Sequence, residues 1–257
     1  MKKLISFAAV LVLLLALAGC VQDEPLPTES ADPTQTTTEA PTEPSTEAPT
    51  TVPTEAPETV VCAVSGQGAA LYRNDVGEVW LNAWVTVRND GDAPVQLPPM
   101  DLTASVNGTE LKRLSGVTAY PNVLAAGESA CYYDEVRVDT DQTGAAELTF
   151  TLAPETAEED KLVRYTVSET QLRDSVYGGL TLTGKVKNET REDSKGMVCV
   201  AAVLYDEDAA VLGVLYAYLP DRLAAGQSAD FTLDSFMLPA DVRSDTVADI
   251  QTFAYPV

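Results

Sequence analysis

The stretch LAAGQSA, Leu223 to Ala229, repeats nearly letter for letter the earlier LAAGESA, Leu124 to Ala130, at a spacing of 99 residues. A phrase with so little chemistry in it that still recurs is a piece of backbone geometry written twice. Its leucine suits burial before a turn. Gly127 or Gly226 then supplies a conformation that a side chain would hinder, and Ser129 or Ser228 opens the next strand. That strand directs Ala130 and Tyr132, or Ala229 and Phe231, inward.

Other landmarks fall at the same offset. Asn89, ending WVTVRN, aligns with Asn188, ending TGKVKN; Val87 aligns with Val186; the hairpin signal Asn107-Gly108 falls on Asp206-Glu207. Agreement at one offset marks a tandem duplication rather than a long-period solenoid. Val79, Leu81, Ala83, Val85 and Val87 alternate with other residues, which is the period of a half-buried strand, and Leu180, Leu182, Gly184 and Val186 repeat that face. Asn107-Gly108 predicts a tight type I′ hairpin, whereas Asp206-Glu207-Asp208 predicts a less specific turn. With about seven strands per copy and almost no helical periodicity, the expected fold is all-β: two tandem Ig-like β-sandwiches over residues 60–155 and 156–257.

The second copy, with Ala202-Val203-Leu204-Tyr205-Asp206 before its hairpin and LPDRLAAGQSADF after it, resembles the FxLYD domains of bacterial surface lipoproteins. The first, with VTVRNDGDAPVQL, DLTASVNG and LAAGES, is similar to related Ig-like extracellular domains of Gram-positive lipoproteins. Ala202 stands where the name-giving pattern has Phe. The resemblance implies a fold and a location, and it brings no catalytic or ligand residues with it.

The opening MKKLISFAAVLVLLLALAGC has a basic start (Lys2, Lys3), an apolar run and small residues ending in Cys20, the layout of a secretory signal. Leu17-Ala18-Gly19-Cys20 also resembles the lipobox of bacterial lipoproteins, which implies lipid attachment at Cys20 and an N-terminal membrane anchor. Ordinary cleavage after Ala18 and retention of the run as a membrane span are the competing readings. The favoured reading puts the chain on the extracellular face of the plasma membrane, where two acyl chains anchor stably and one does not. Residues 21–59 hold eight prolines, eleven threonines and nine carboxylates with no Lys, Arg or aromatic. Such a segment is expected to be a disordered acidic stalk, because it has too little apolar surface to offset its ordering entropy.

Residues 60–257 carry a formal charge of −16, which argues against nucleic acid as a partner. The chain has no histidine, which removes Ser-His and Cys-His pairs, His-ligated zinc and the commonest general base. Gly179 to Lys185 matches most of a phosphate-binding loop, but Val186 replaces the required hydroxyl and the stretch alternates as a strand. No enzyme and no cofactor are expected. Beyond Cys20 the cysteines are Cys62, Cys131 and Cys199, an odd number. A Cys62–Cys131 bridge is the less favoured reading and unpaired, mostly buried thiols the preferred one, with Cys131 facing away from its own core. The acid pairs Asp90/Asp92, Asp139/Asp141 and Asp206/Asp208 read as turn residues before they read as a calcium site.

Trp80 and Trp84 lie on the opposite face of their strand from its Val/Leu row, while their counterparts are Gly179 and Thr183. Exposed, they would form a surface patch for sugar rings or a partner protein. Cover by another strand, the stalk or the second domain, or a wrong assignment of the core face, is the favoured alternative. The expected function is a non-catalytic surface lipoprotein that binds an extracellular protein or wall polymer; the rival is a structural spacer without a ligand.

Overall fold

The computed structural model describes residues 60–74, 77–176, 178–235 and 237–257; the signal segment, Cys20 and the acidic stalk lie outside the described residues. The described chain is all-β, with a single short 3-10 turn at Glu159–Lys161. The first copy contributes β1 (Cys62–Arg73), β2 (Val79–Asn89), β3 (Val95–Gln96), β4 (Met100–Val106), β5 (Thr109–Val117) and β6 (Ala119–Tyr120). It continues through β7 (Val123–Leu124), β8 (Ser129–Val138), β9 (Gly144–Ala145), β10 (Glu147–Phe150) and β11 (Glu155–Thr156). The second contributes β12 (Thr166–Asp174), β13 (Leu180–Lys187), β14 (Val198–Tyr205), β15 (Val211–Leu219), β16 (Ser228–Ser235) and β17 (Asp249–Pro256).

In the first sandwich a sheet in the order β6-β8-β2-β1-β9 faces a sheet in the order β10-β4-β5, and a small ladder β11-β3-β7 closes one end. In the second, β12-β13-β16 faces β15-β14-β17. Where about seven strands per copy are expected, the second copy has six and the first eleven, five of them two-residue ladders. Of the extra pieces, β6 and β9 each pair with a longer strand, β8 and β1, while β3, β7 and β11 pair only with one another.

The alternation read from the sequence gives the core directly. Val79, Leu81, Ala83, Val85 and Val87 are all buried and pack with Leu102, Leu114 and Tyr132. Leu180, Leu182 and Val186 pack with Val200, Leu204, Leu215 and Leu233. A fully buried leucine contributes ~1.5–3 kcal/mol relative to an exposed one, so these rows dominate the stability of each copy. Gly184 interrupts its row for a packing reason: a Cβ there would meet the Phe231 ring at 2.6 Å. Tyr132 tolerates full burial because its hydroxyl donates to the Pro98 carbonyl at 2.8 Å.

Asn107 and Gly108 have φ of 52° and 72°, the two positive values a type I′ turn requires, and join β4 to β5 as expected. Asp206 accepts the amides of Asp208 (3.0 Å) and Ala210 (2.8 Å), an Asx-type turn before β15.

The repeated phrase is a turn locked by an asparagine. Gly127 and Gly226 adopt φ of +74° and +73°. Their amides donate to the Asn89 and Asn188 carbonyls, each at 2.8 Å. Both asparagines are fully buried, and each Nδ2 reaches back across the turn to the carbonyl of the repeated leucine. Glu128 and Gln227 then accept the amides of Ala125 and Ala224, closing the loop from its other end. The recurrence of LAAG and of Asn at one offset therefore has one cause, a turn held by the same set of hydrogen bonds to a buried asparagine in each copy.

Candidate functional site

Strand β14, VCVAAVLY, is buried on both faces. Val198, Val200, Ala202 and Leu204 enter the second core, whereas Cys199, Ala201 and Val203 point the other way into a third apolar cluster. That cluster is the seam between the sandwiches. It joins Tyr120, Cys131 and Tyr133 of the first copy to Val214, Phe253 and Tyr255 of the second. Cys131 does face away from its own core, as the alternation predicts, yet it is fully buried because the second sandwich covers it. Two-sided burial turns an alternating strand into a continuous apolar run, and VCVAAVLY is the signal that carried this information.

Arg164, in the segment between the copies, fastens one edge of the seam. Its guanidinium pairs with the Glu128 carboxylate at 2.8 Å and donates to the Val123 carbonyl, both in the first sandwich. It also lies over the Tyr255 ring of the second, 5.9 Å from the centroid. Glu128 belongs to the LAAGES phrase, and the residue aligned with it in the second copy is the neutral Gln227.

Among the described residues the thiols of Cys62, Cys131 and Cys199 are unpaired. Cys131 and Cys199 are buried in the seam and Cys62 is half-buried. Burial pushes the Cys199 thiol up to about 11 and lifts the other two above their ordinary range, with the Asp90 charge adding to the effect at Cys62. Neutral thiols in an apolar seam behave as small packing groups.

The tryptophans have separate roles. The Trp84 ring lies flat against the glycines of the neighbouring strand, so close that a Cβ at Gly68 would meet it at 2.8 Å, and its remaining surface packs against the seam cluster. Gly66 and Gly68 are the sequence signal for this cover: two glycines in β1 opposite an aromatic mark a close approach. Trp80 forms one wall of a groove where the two sandwiches meet, a cavity of about 370 Å³.

The groove is lined by Trp80, Tyr120 and Tyr133 of the first sandwich, Val214 and Tyr216 of the second, and the carboxylates of Asp134 and Glu135. Tyr120 and Tyr216 stack across the seam with centroids 5.0 Å apart, and Tyr218 meets Tyr216 edge-on at 6.0 Å. Tyr216 and Tyr218 are each 47% exposed, which is unusual for aromatics on a strand and leaves them open to a partner. Burial raises Glu135 above the usual carboxylate range, with the Asp134 charge adding and the Tyr133 hydroxyl, which donates to it at 2.8 Å, opposing. Burial also raises Asp134, against the Glu135 amide that it accepts at 2.9 Å.

Sequence reasoning named Trp80 but missed Tyr120, Asp134 and Glu135, which long-range pairing within the first sandwich brings near it, and Tyr216, which joins them only where the second sandwich docks. One acid of each pair singled out in the turns has a structural role: Asp90 pairs with Arg88 at 3.4 Å, Asp141 with Arg73 at 3.9 Å, and Asp206 serves its own turn. Among the described residues no group of three or more acids and thiols is placed to hold a metal ion. No protein-family model matches the chain, and a search of curated proteins returns no match.

Proposed function

We propose that the protein is a non-catalytic surface lipoprotein, anchored through lipid on Cys20 and raised on its acidic stalk, that binds an extracellular protein or wall polymer. The signal layout and the lipobox resemblance support the address. The observation that carries the binding role is the groove beside Trp80, where the half-buried Trp80 and buried Tyr120 and Tyr133 of the first sandwich meet the exposed Tyr216 of the second beside Asp134 and Glu135. Aromatic rings held rigidly on strands supply contact area at little conformational cost, which is what recognition surfaces use. The apolar seam fixes both walls of the groove, so the site is preformed.

The test is co-sedimentation of the full chain with isolated cell walls, wild type against Tyr216→Ala. Tyr216 is exposed, so its loss leaves both cores intact. Retention of the wild type and at least tenfold weaker retention of the variant is the expected result. Equal behaviour of the two, or no retention of either, overturns the reading and leaves a spacer.

A further inference from the structure

We infer that the groove beside Trp80 binds an organic ammonium group, the chemistry of a lysine side-chain end, presented by the partner. This rests on the binding role proposed above and adds the ligand's charge and type. Three observations converge on it. The walls are rich in aromatic side chains: Trp80 and the stacked pair Tyr120 and Tyr216 border the cavity, and aromatic rings attract cations. The groove also holds Asp134 and Glu135, yet among the described residues neither carboxylate is ion-paired; the arginine beside them on β8, Arg137, is taken by Glu78 at 3.0 Å. Finally, residues 60–257 carry a charge of −16, so the field around the groove draws cations in and repels anions.

The same geometry separates organic from inorganic cations. A divalent metal ion of the calcium type takes six to eight oxygen ligands. The groove offers two carboxylates among rings, and no three-ligand cluster exists among the described residues. An alkylammonium group satisfies both halves of the site: its charge lies near the carboxylates, and its methylenes lie against the rings. A cavity of about 370 Å³ accommodates such a chain end with room to spare.

The experiment titrates the full chain with n-butylammonium chloride and, separately, with n-butanol at constant ionic strength. It follows tryptophan emission, to which Trp80 in the groove wall contributes. The expected result is a saturable change with the ammonium and none with the alcohol. Glu135→Gln keeps the shape and removes the charge, and is expected to weaken the ammonium response at least tenfold; Asp134→Asn provides a second charge-removing variant should the first unfold. Glu147→Gln, an exposed acid away from the groove, is expected to leave it unchanged. An equal response to butanol, or ammonium binding that survives both groove variants, overturns the inference. Wall retention sensitive to Tyr216→Ala without any ammonium response keeps the binding role and removes the cation assignment; loss of both removes both.

Discussion

Asn188 places its Nδ2 2.9 Å from the carbonyl oxygen of Leu223, and 99 residues earlier Asn89 approaches the Leu124 carbonyl in the same way at 3.4 Å. Each Nδ2 also donates at 2.8 Å to a second carbonyl, Glu192 or Ala93, and each Oδ1 accepts a backbone amide two residues on. One side chain thus satisfies several backbone groups in a place that water does not reach. Replacing Asn188 or Asn89 by Ala strands those groups and is expected to cost about 2–4 kcal/mol, read as a lower urea midpoint at unchanged slope. A loss under about 0.5 kcal/mol, the size of an ordinary surface substitution, would mean that the turn holds without its lock.

The turn glycines make a matched control. Nothing lies within 4 Å of a Cβ built at Gly127 or Gly226, so substitution meets no clash and only the positive φ resists it. Gly226→Ala is expected to cost about 1–2 kcal/mol, and Gly226→Asn distinctly less, since Asn tolerates the left-handed region. Equal costs for the two would point to a cause other than backbone strain.

The seam makes its own prediction. Val203 is fully buried on the face of β14 that meets the first sandwich, so Val203→Asp puts a charge into the seam while leaving the second core's Ala202 and Leu204 in place. The variant is expected to keep two folded sandwiches that no longer dock, with Cys131 and Cys199 now open to a thiol reagent that reacts with neither in the native wild type. Thiols that stay protected in this variant would contradict the seam.

Acid–base behaviour follows from the groove. The raised carboxyls of Glu135 and Asp134 hold protons in the folded state that the unfolded chain releases. The unfolded state therefore binds fewer protons over that window, and stability falls as pH rises from the ordinary carboxylate range through the raised values. Glu135→Gln removes this contribution. Its unfolding midpoint is expected to exceed that of the wild type at pH 8, with the gap closing towards pH 4; a gap that is constant with pH would place the effect elsewhere. At the acid end the signs reverse: Asp101, Asp174 and Glu189, lowered by hydrogen bonds from Arg113, the Ser244 amide and Lys187 respectively, contribute stability that is lost as pH falls through their lowered values. Their contact with solvent screens these charges and keeps that contribution small.

The parts of this architecture that were legible in the sequence are those with a short-range cause. The Val79–Val87 alternation, the Asn107-Gly108 hairpin and the LAAG turns each follow from periodicity or from the φ values that particular residues accept. The groove was not legible, because alternation assigns one face of a strand to its own core and is silent about what covers the other. Cys131 and Tyr133 on β8 look like an outward row until Val214 and Phe253 arrive from 80 or more residues away. Only the unbroken apolar run of β14 hinted at a second buried face. Nothing local says that Tyr216 stacks on Tyr120, since that contact depends on how two finished sandwiches dock.

The two copies fold into one body through the seam, which builds the groove. Both tryptophans are in the first sandwich and Cys199 is in the second. Urea unfolding of the chain, with Cys20 and Cys62 replaced by Ser and Cys131 by Ala so that Cys199 is the one thiol left, followed in parallel by tryptophan emission and by pulsed alkylation, therefore reports on both copies at once. Superimposable transitions are expected. Exposure of Cys199 well before the tryptophan transition would show that the second sandwich opens independently of the first, and would contradict a single body held by the seam.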